Sequence, residues 1–286
     1  MTRVGAIFSP YPNPPEAFRD AVVAAEEAGL GELWLWEDCF RESAFASASA
    51  ALAWTTRLRV GIGIAPMPLR NVAATAMEIA TIARMFPGRL LPGVGHGVLP
   101  WMGQVGARVA SPLTLMREYV PALRALLAGE EVTVQGRYVR LDAVRLDWPP
   151  AVVPPVYAAA AGPKTLAMAG AVAQGVVLDS RGSPAELAQA VRAIRDGAGE
   201  GARPQDIVAY AVAAFGDGAE ARVRADAGER GVDDDRALWG TATEVAAGVR
   251  RLAAGGLDAV ILLPADGEPD LARFSADAAE VGRMVA

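Results

Sequence analysis

Residues 59–97 read RVGIGIAPMPLRNVAATAMEIATIARMFPGRLLPGVGHG. An apolar run at 59–64 meets a Pro/Asn break, an apolar-periodic segment follows at 72–86, Pro87-Gly88 closes it, and a second apolar run opens at 89–93. The two runs are apolar at successive positions rather than alternating. That is how parallel strands covered on both faces read, and the periodic segment between them reads as the helical crossover.

Working outward, the same unit recurs. Toward the N-terminus lie strand-like runs at 3–8 and 31–36 and helical segments at 15–28 and 43–54; Pro15 suits a first helical turn and Gly29 a position just past a helix end. Strand starts near 3, 31, 59 and 89 recur about every 28–30 residues, the length of one strand–helix unit. After strand four the unit breaks. Residues 111–128 form a strongly amphipathic helix, 131–134 and 137–141 flank Gln135-Gly136 as a small hairpin, and 142–154 is a Pro-rich connection. The pattern resumes with strands at 155–159, 175–178, 207–215 and 258–263 and helices at 164–172, 184–197, 243–254 and 269–285; the charged stretch 216–238 has no defined element. Eight units over roughly 250 residues predict an α/β fold, a (β/α)8 TIM barrel with a helix-plus-hairpin insertion after strand four. An open doubly wound sheet is the alternative. Nothing in the sequence looks like a linker, so residues 1–286 are expected to form a single domain.

Composition narrows the chemistry. One cysteine excludes an intrachain disulfide, and with a single histidine it excludes a Cys/His zinc cage or histidine-cluster metal hydrolysis. A net charge of −6 argues against nucleic acid or an anionic membrane as partner. No apolar run reaches the roughly 18 residues of a spanning helix, and the N-terminus lacks a signal-peptide layout, so a cytoplasmic protein is expected. There is no GxSxG, which disfavours a serine hydrolase.

In such barrels the chemistry sits beyond the strand C-termini, where Cys39, His96 and Lys164, each the sole residue of its type, all fall. Asp38, in an apolar setting of Trp34, Trp36 and Phe40, reads as a titratable group with a shifted pKa, or as a helix cap or ion pair. Cys39 reads as a small buried hydrophobe, or as a nucleophile. His96 polarises a bound ring or faces solvent. Gly95 and Gly97, in GVGHG, let backbone approach a ligand or form a tight turn. Ala160, Ala161, Gly162, Pro163 and Lys164 resemble an anion cradle at a helix start, or an ordinary strand-to-helix turn. Trp101 and Met102 line a pocket or pack the insertion onto the barrel. What remains is a glycine-rich apolar cleft with an anion cradle, suited to a cofactor that carries the chemistry.

The chain resembles the bacterial luciferase-like superfamily of flavin- and deazaflavin-dependent oxidoreductases. Within it, the chain is most similar to the methylenetetrahydromethanopterin reductases and their actinobacterial relatives. The resemblance rests on LWLWEDCF (33–40), the 59–97 stretch, PPVYAAAAGPKTLAMAGAVAQGVVLDS (154–180) and GTATEVAAGVRRLAAGGLDAVILLP (240–264). It implies a barrel holding coenzyme F-420 or FMN at the strand C-termini. A non-prolyl cis peptide is implied at Gly63–Ile64, in a bulge running to Ala65 that backs the cofactor ring. The phosphate tail is implied near residues 160–164, with Asp179 and Ser180 close by. Where deazaflavin enzymes of this kind usually carry Asp-His, this chain has Asp38-Cys39, which leaves the histidine role vacant. The catalytic candidates are therefore Asp38, Cys39 and His96. The expected function is F-420-dependent hydride transfer with a small, partly apolar organic substrate. The alternatives are an FMN-dependent monooxygenase of the same fold and a catalytically silent cofactor-binding barrel. A homodimer is expected, with the apolar second and third helices supplying its face.

Overall fold

In the computed structural model, which describes residues 2–199 and 206–286, the chain starts with β1 (Arg3–Ile7), α1 (Phe18–Glu27), β2 (Glu32–Leu35), α2 (Ala44–Trp54), β3 (Arg59–Pro66), α3 (Val72–Met85) and β4 (Leu90–Gly95). The insertion follows: a short helix α4 (Leu99–Gln104), the long α5 (Pro112–Leu127), and an antiparallel hairpin of β5 (Val132–Gln135) and β6 (Arg140–Val144). The chain then runs through β7 (Tyr157–Ala159), α6 (Pro163–Val172), β8 (Gly175–Leu178), α7 (Pro184–Ala198), β9 (Asp206–Phe215), α8 (Ala219–Arg230), β10 (Leu238–Gly240), α9 (Ala242–Ala253), β11 (Ala259–Pro264) and α10 (Leu271–Val285).

Eight strands pair in parallel as β1-β2-β3-β4-β7-β8-β9-β11, and β11 pairs back onto β1, so the sheet closes into a barrel. The closure overturns the doubly wound alternative: β9, bonded to β8 on one side and β11 on the other, leaves no free edge at that end of the sequence. Both faces of the ring are buried, which is why its strands read as unbroken apolar runs. Inside, Trp34, Tyr157, Tyr210, Val208 and Ile261 pack together, with the Trp34 and Tyr157 rings edge-on at 5.5 Å.

The N-terminal end of the barrel is floored by charge. Glu32, almost fully buried, accepts from Arg3 Nε (2.7 Å), from Trp34 Nε1 (3.0 Å) and from Arg59. Arg3 also pairs with Asp206 at 2.7 Å, and the Tyr157 hydroxyl donates to the same carboxylate at 2.5 Å. This network ties β1, β2, β3, β7 and β9 together at the end away from the cleft.

Three features depart from the sequence-based expectation. The hairpin's second strand starts at Arg140 instead of 137, because Glu118 of α5 accepts the backbone N–H groups of Arg137, Tyr138 and Val139 (3.0, 2.8 and 3.1 Å) and holds them in the turn. The stretch 216–238 holds α8, whose Ala219, Val223 and Ala227 continue the barrel-interior cluster, and β10 then extends the sheet alongside the end of β9. Residues 99–104 form α4, which carries Trp101 and Met102.

Candidate active site

The strand C-termini surround a cleft of about 470 Å³. The order of the strands decides what reaches it. Tyr11 comes from the loop after β1, Trp36 and Asp38 from the end of β2, Gly63 and Ile64 from β3, and Gly95, His96 and Gly97 from β4. Val98 and Trp101 enter from the insertion, Ala159–Ala161 follow β7, Val177 and 179–181 lie on and beyond β8, and Tyr210, Leu263 and Arg230 complete the wall.

Asp38 and Glu37 are neighbours with separate duties. Glu37 commits its carboxylate to Arg70, through both guanidinium Nη atoms, and to the backbone N–H of Ala44 at 3.0 Å, so it anchors the start of α2. Asp38 lines the cleft and accepts the Tyr11 hydroxyl at 2.7 Å. It is neither a helix cap nor a salt-bridge partner among the described residues. Burial pushes its carboxyl above the usual carboxylate range, against the opposing pull of the Tyr11 hydroxyl and of Arg41 and Arg230. Tyr11 is in turn pushed up to about 12, by burial and then by Asp38. The Arg41 guanidinium is stacked 4.0 Å from the Tyr11 ring centre.

The β3 bulge is shaped by close approach. A Cβ at Gly63 would lie 1.8 Å from the Tyr210 hydroxyl, which donates to the Gly63 carbonyl at 2.9 Å. Only glycine allows that contact. The Gly63–Ile64 peptide is cis, as the resemblance implied, and Cys39–Phe40 is cis as well. His96 Nδ1 lies 2.5 Å from the Gly97 carbonyl oxygen; because a carbonyl only accepts, Nδ1 is the donor and Nε2 carries the ring's remaining capacity. Among the described residues, Trp36 Nε1 is buried without a partner, a free donor on a residue of the cleft wall.

Of the residues singled out in the sequence, Asp38, His96, Gly63, Ile64, Gly95, Gly97, Ala160, Ala161, Asp179 and Ser180 line one cleft. Cys39, Ala65, Gly162, Pro163 and Lys164 do not. Burial, followed by the charges of Glu37 and Asp38, raises the Cys39 thiol, the opposite of an activated thiolate. Gly162 caps α6 without a side-chain bond to the helix, and Pro163, Lys164 and the rest of its exposed start stand just beyond the Ala160-Ala161 wall. Trp101 lines the cleft, whereas Met102 is buried and does not. Sequence reasoning missed Tyr11, Tyr210 and Arg230. Tyr210 is hidden in an apolar strand, and Arg230 comes from a helix the pattern did not define. Tyr11, immediately after the first strand, was within reach of the same rule that found Asp38.

The chain is similar to known proteins. The chain is 30% identical over 190 residues to the 5,10-methylenetetrahydromethanopterin reductase of Methanolobus tindarius, a match covering 65% of this chain and 58% of that protein. It is 29% identical over 208 residues to the F-420-dependent glucose-6-phosphate dehydrogenase of Nakamurella multipartita, covering 67% and 60%. The chain thus spans about three fifths of the length of these curated relatives. Among solved structures, an F-420-dependent secondary alcohol dehydrogenase in complex with an F-420–acetone adduct superimposes with a TM-score of 0.85 at 23% identity, over 100% of this chain and 99% of that one. That likeness establishes the barrel. The sequence model of the luciferase-like monooxygenase family matches residues 1–225, most of the chain, and the protein therefore belongs to that family.

Proposed function

We propose that this protein is an oxidoreductase that uses coenzyme F-420 to move a hydride to or from a small organic substrate. The observation that carries the proposal is the Asp38 carboxyl, half-buried, raised and held by Tyr11 in a cleft with room for a flat ring. The residues present fit a deazaflavin. The Gly63 backbone, with no room for a Cβ, and the apolar Ile64 form one wall at the bulge, and Trp36 Nε1 has no partner among the described residues. The start of α6 offers free N–H groups and the Lys164 charge to a phosphate tail. The relatives named as F-420-dependent support the same reading.

When bound, the deazaflavin supplies a two-electron hydride acceptor or donor. Asp38 takes the proton that a substrate oxygen loses as hydride leaves its carbon, and returns it in the reverse direction. Tyr11 restrains one carboxylate oxygen and leaves the other to the substrate. His96 Nε2 is the second group able to accept or donate at the substrate oxygen. Trp101 and Val98 line the cleft from the insertion, where their apolar groups would help exclude water from a bound substrate. The protein is proposed to act in the cytoplasm as a homodimer joined through α2 and α3; no helix among the described residues is long and apolar enough to cross a membrane. Titration of the purified protein with F-420 and, separately, with FMN tests the reading. Tight F-420 binding with FMN ignored is expected; preference for FMN would replace hydride transfer with oxygen chemistry.

A further inference from the structure

Taking Asp38 as the proton carrier, a reading on which this inference rests, we propose that the Glu37–Arg70 ion pair is the positioning device of the site: it fixes the Asp38 carboxyl relative to the wall at the β3 bulge. Glu37 joins the two. Its backbone N–H donates to the Ile64 carbonyl at 3.1 Å, so the end of β2 is bonded to the bulge. Its carboxylate reaches the other way, where Oε2 accepts the Ala44 N–H at the start of α2 at 3.0 Å. Residues 38–43 run between those two points, and the Glu37 side chain closes them into a loop. Asp38 is the first residue of that loop, and its carbonyl accepts the Arg41 N–H at 2.9 Å.

Arg70 keeps that carboxylate where it is. Its Nη1 bonds Oε1 and its Nη2 bonds Oε2 at 2.9 Å, a two-pronged contact that fixes orientation as well as distance. The arginine is held in its turn. Nε pairs with Glu78 of α3 at 3.2 Å, the guanidinium carbon lies 5.0 Å from the Phe45 ring centre of α2, and the Arg70 carbonyl accepts the Tyr119 hydroxyl at 3.3 Å. Tyr119 belongs to α5, and its hydroxyl lies 2.6 Å from that of Thr75 on α3, both residues being buried. The insertion thus reaches Asp38 through Arg70 and Glu37. An ion pair that merely anchored α2 would leave Asp38 indifferent to its loss.

Carbon-13 NMR of protein labelled at the aspartate Cγ atoms reads the Asp38 carboxyl without cofactor or substrate, and Asp38→Asn identifies its signal. The titratable and charged groups that act on it are Tyr11 from the loop after β1, Arg41 and Cys39 on its own loop, Arg230 from α8 and Tyr210 from β9, with His96 on the same cleft. The variants leave all of these in place. Glu37→Gln keeps the side chain's shape and loses the charge that grips Arg70; Arg70→Met keeps the stem and loses the cation. Field effects alone differ between them: loss of the Glu37 charge lowers the Asp38 pKa, and loss of the Arg70 charge raises it or leaves it. Displacement of the loop acts alike in both, because a carboxyl turned out into water returns toward the ordinary value of about 4. A fall in both variants is expected, and anything other than a fall in both overturns the proposal. Where Arg70→Met fails to fold, Arg70→Lys takes its place: it keeps the cation but not the two-pronged contact, so the field predicts no change and displacement predicts a fall. F-420 binding is read separately, by the coenzyme's own fluorescence. Its failure would count against the cofactor reading and leave the Asp38 titration standing.

Discussion

At the residue scale the cleft turns on Asp38, whose environment makes two separable predictions. Its folded pKa lies above the ordinary carboxylate value, because burial outweighs the Tyr11 hydrogen bond. A group shifted upward contributes stability below its unfolded pKa and loses it as pH rises through the folded pKa. The carboxyl is therefore a liability near neutral pH. Asp38→Asn keeps an oxygen for the Tyr11 hydroxyl and has no charge to desolvate. It is expected to raise the urea midpoint near neutral pH, and the gain should vanish below about pH 4, where both proteins are uncharged at this position. The same change removes the proton carrier, so kcat is expected to fall by about a hundredfold or more while F-420 affinity stays within about threefold. A stability gain that persisted in acid would show that the side chain's shape, not its charge, is what burial penalises. Asp38 was legible from sequence because it immediately follows an apolar strand, where the barrel places its chemistry. Tyr210 was not: its hydroxyl matters only because Gly63 comes within its reach from a strand 147 residues away in sequence.

At the scale of elements, legibility followed burial. The strands of the ring are apolar on both faces and so were recognised. By contrast, α8 buries Ala219, Val223, Asp226 and Ala227 and turns charged residues outward, too little apolar periodicity to declare a helix. The hairpin slipped for another reason: its turn is set from outside by Glu118. That carboxylate is held below the usual range by the backbone N–H groups of Tyr138, Arg137 and Val139, despite the opposing effect of burial. Gly136 is also required there, since a Cβ would lie 2.5 Å from the Glu118 carboxylate. Glu118→Ala is expected to cost about 2 kcal/mol and to accelerate amide exchange at 137–139 selectively. With the folded pKa lowered, the contribution of Glu118 should be lost as pH falls through that value, so the variant and the parent should converge in acid. A second element-level expectation concerns α2, which carries no charged residue and exposes Ala46 and Ala53. A surface helix without charge on its outer face suits a covered position. In light scattering the protein is expected at twice its 29.7 kDa chain mass, and Ala46→Glu is expected to shift it toward the single chain.

Over the whole molecule, stability and chemistry are assigned to opposite ends of the barrel. The floor holds Glu32 between Arg3 and Arg59, with Asp206 beyond; the mouth holds Asp38, His96 and the glycine bulge. The link between them runs through the barrel interior. Trp34 donates to Glu32 at one end, and its ring packs edge-on against Tyr210, which in turn holds the Gly63 carbonyl. Glu32→Gln removes the charge that two arginines share but retains an oxygen for the Trp34 N–H. It is expected to cost about 3 kcal/mol in urea unfolding and to leave F-420 affinity within about threefold. Glu32→Ala also strips the Trp34 N–H of its acceptor, frees the ring to shift against Tyr210, and should weaken F-420 binding as well as stability. Because the floor carboxylate and Asp38 share no partner, Glu32→Gln and Asp38→Asn should combine additively, within about 0.5 kcal/mol. A larger coupling between them would mean that the indole and phenol in the barrel core transmit the state of the floor to the cleft.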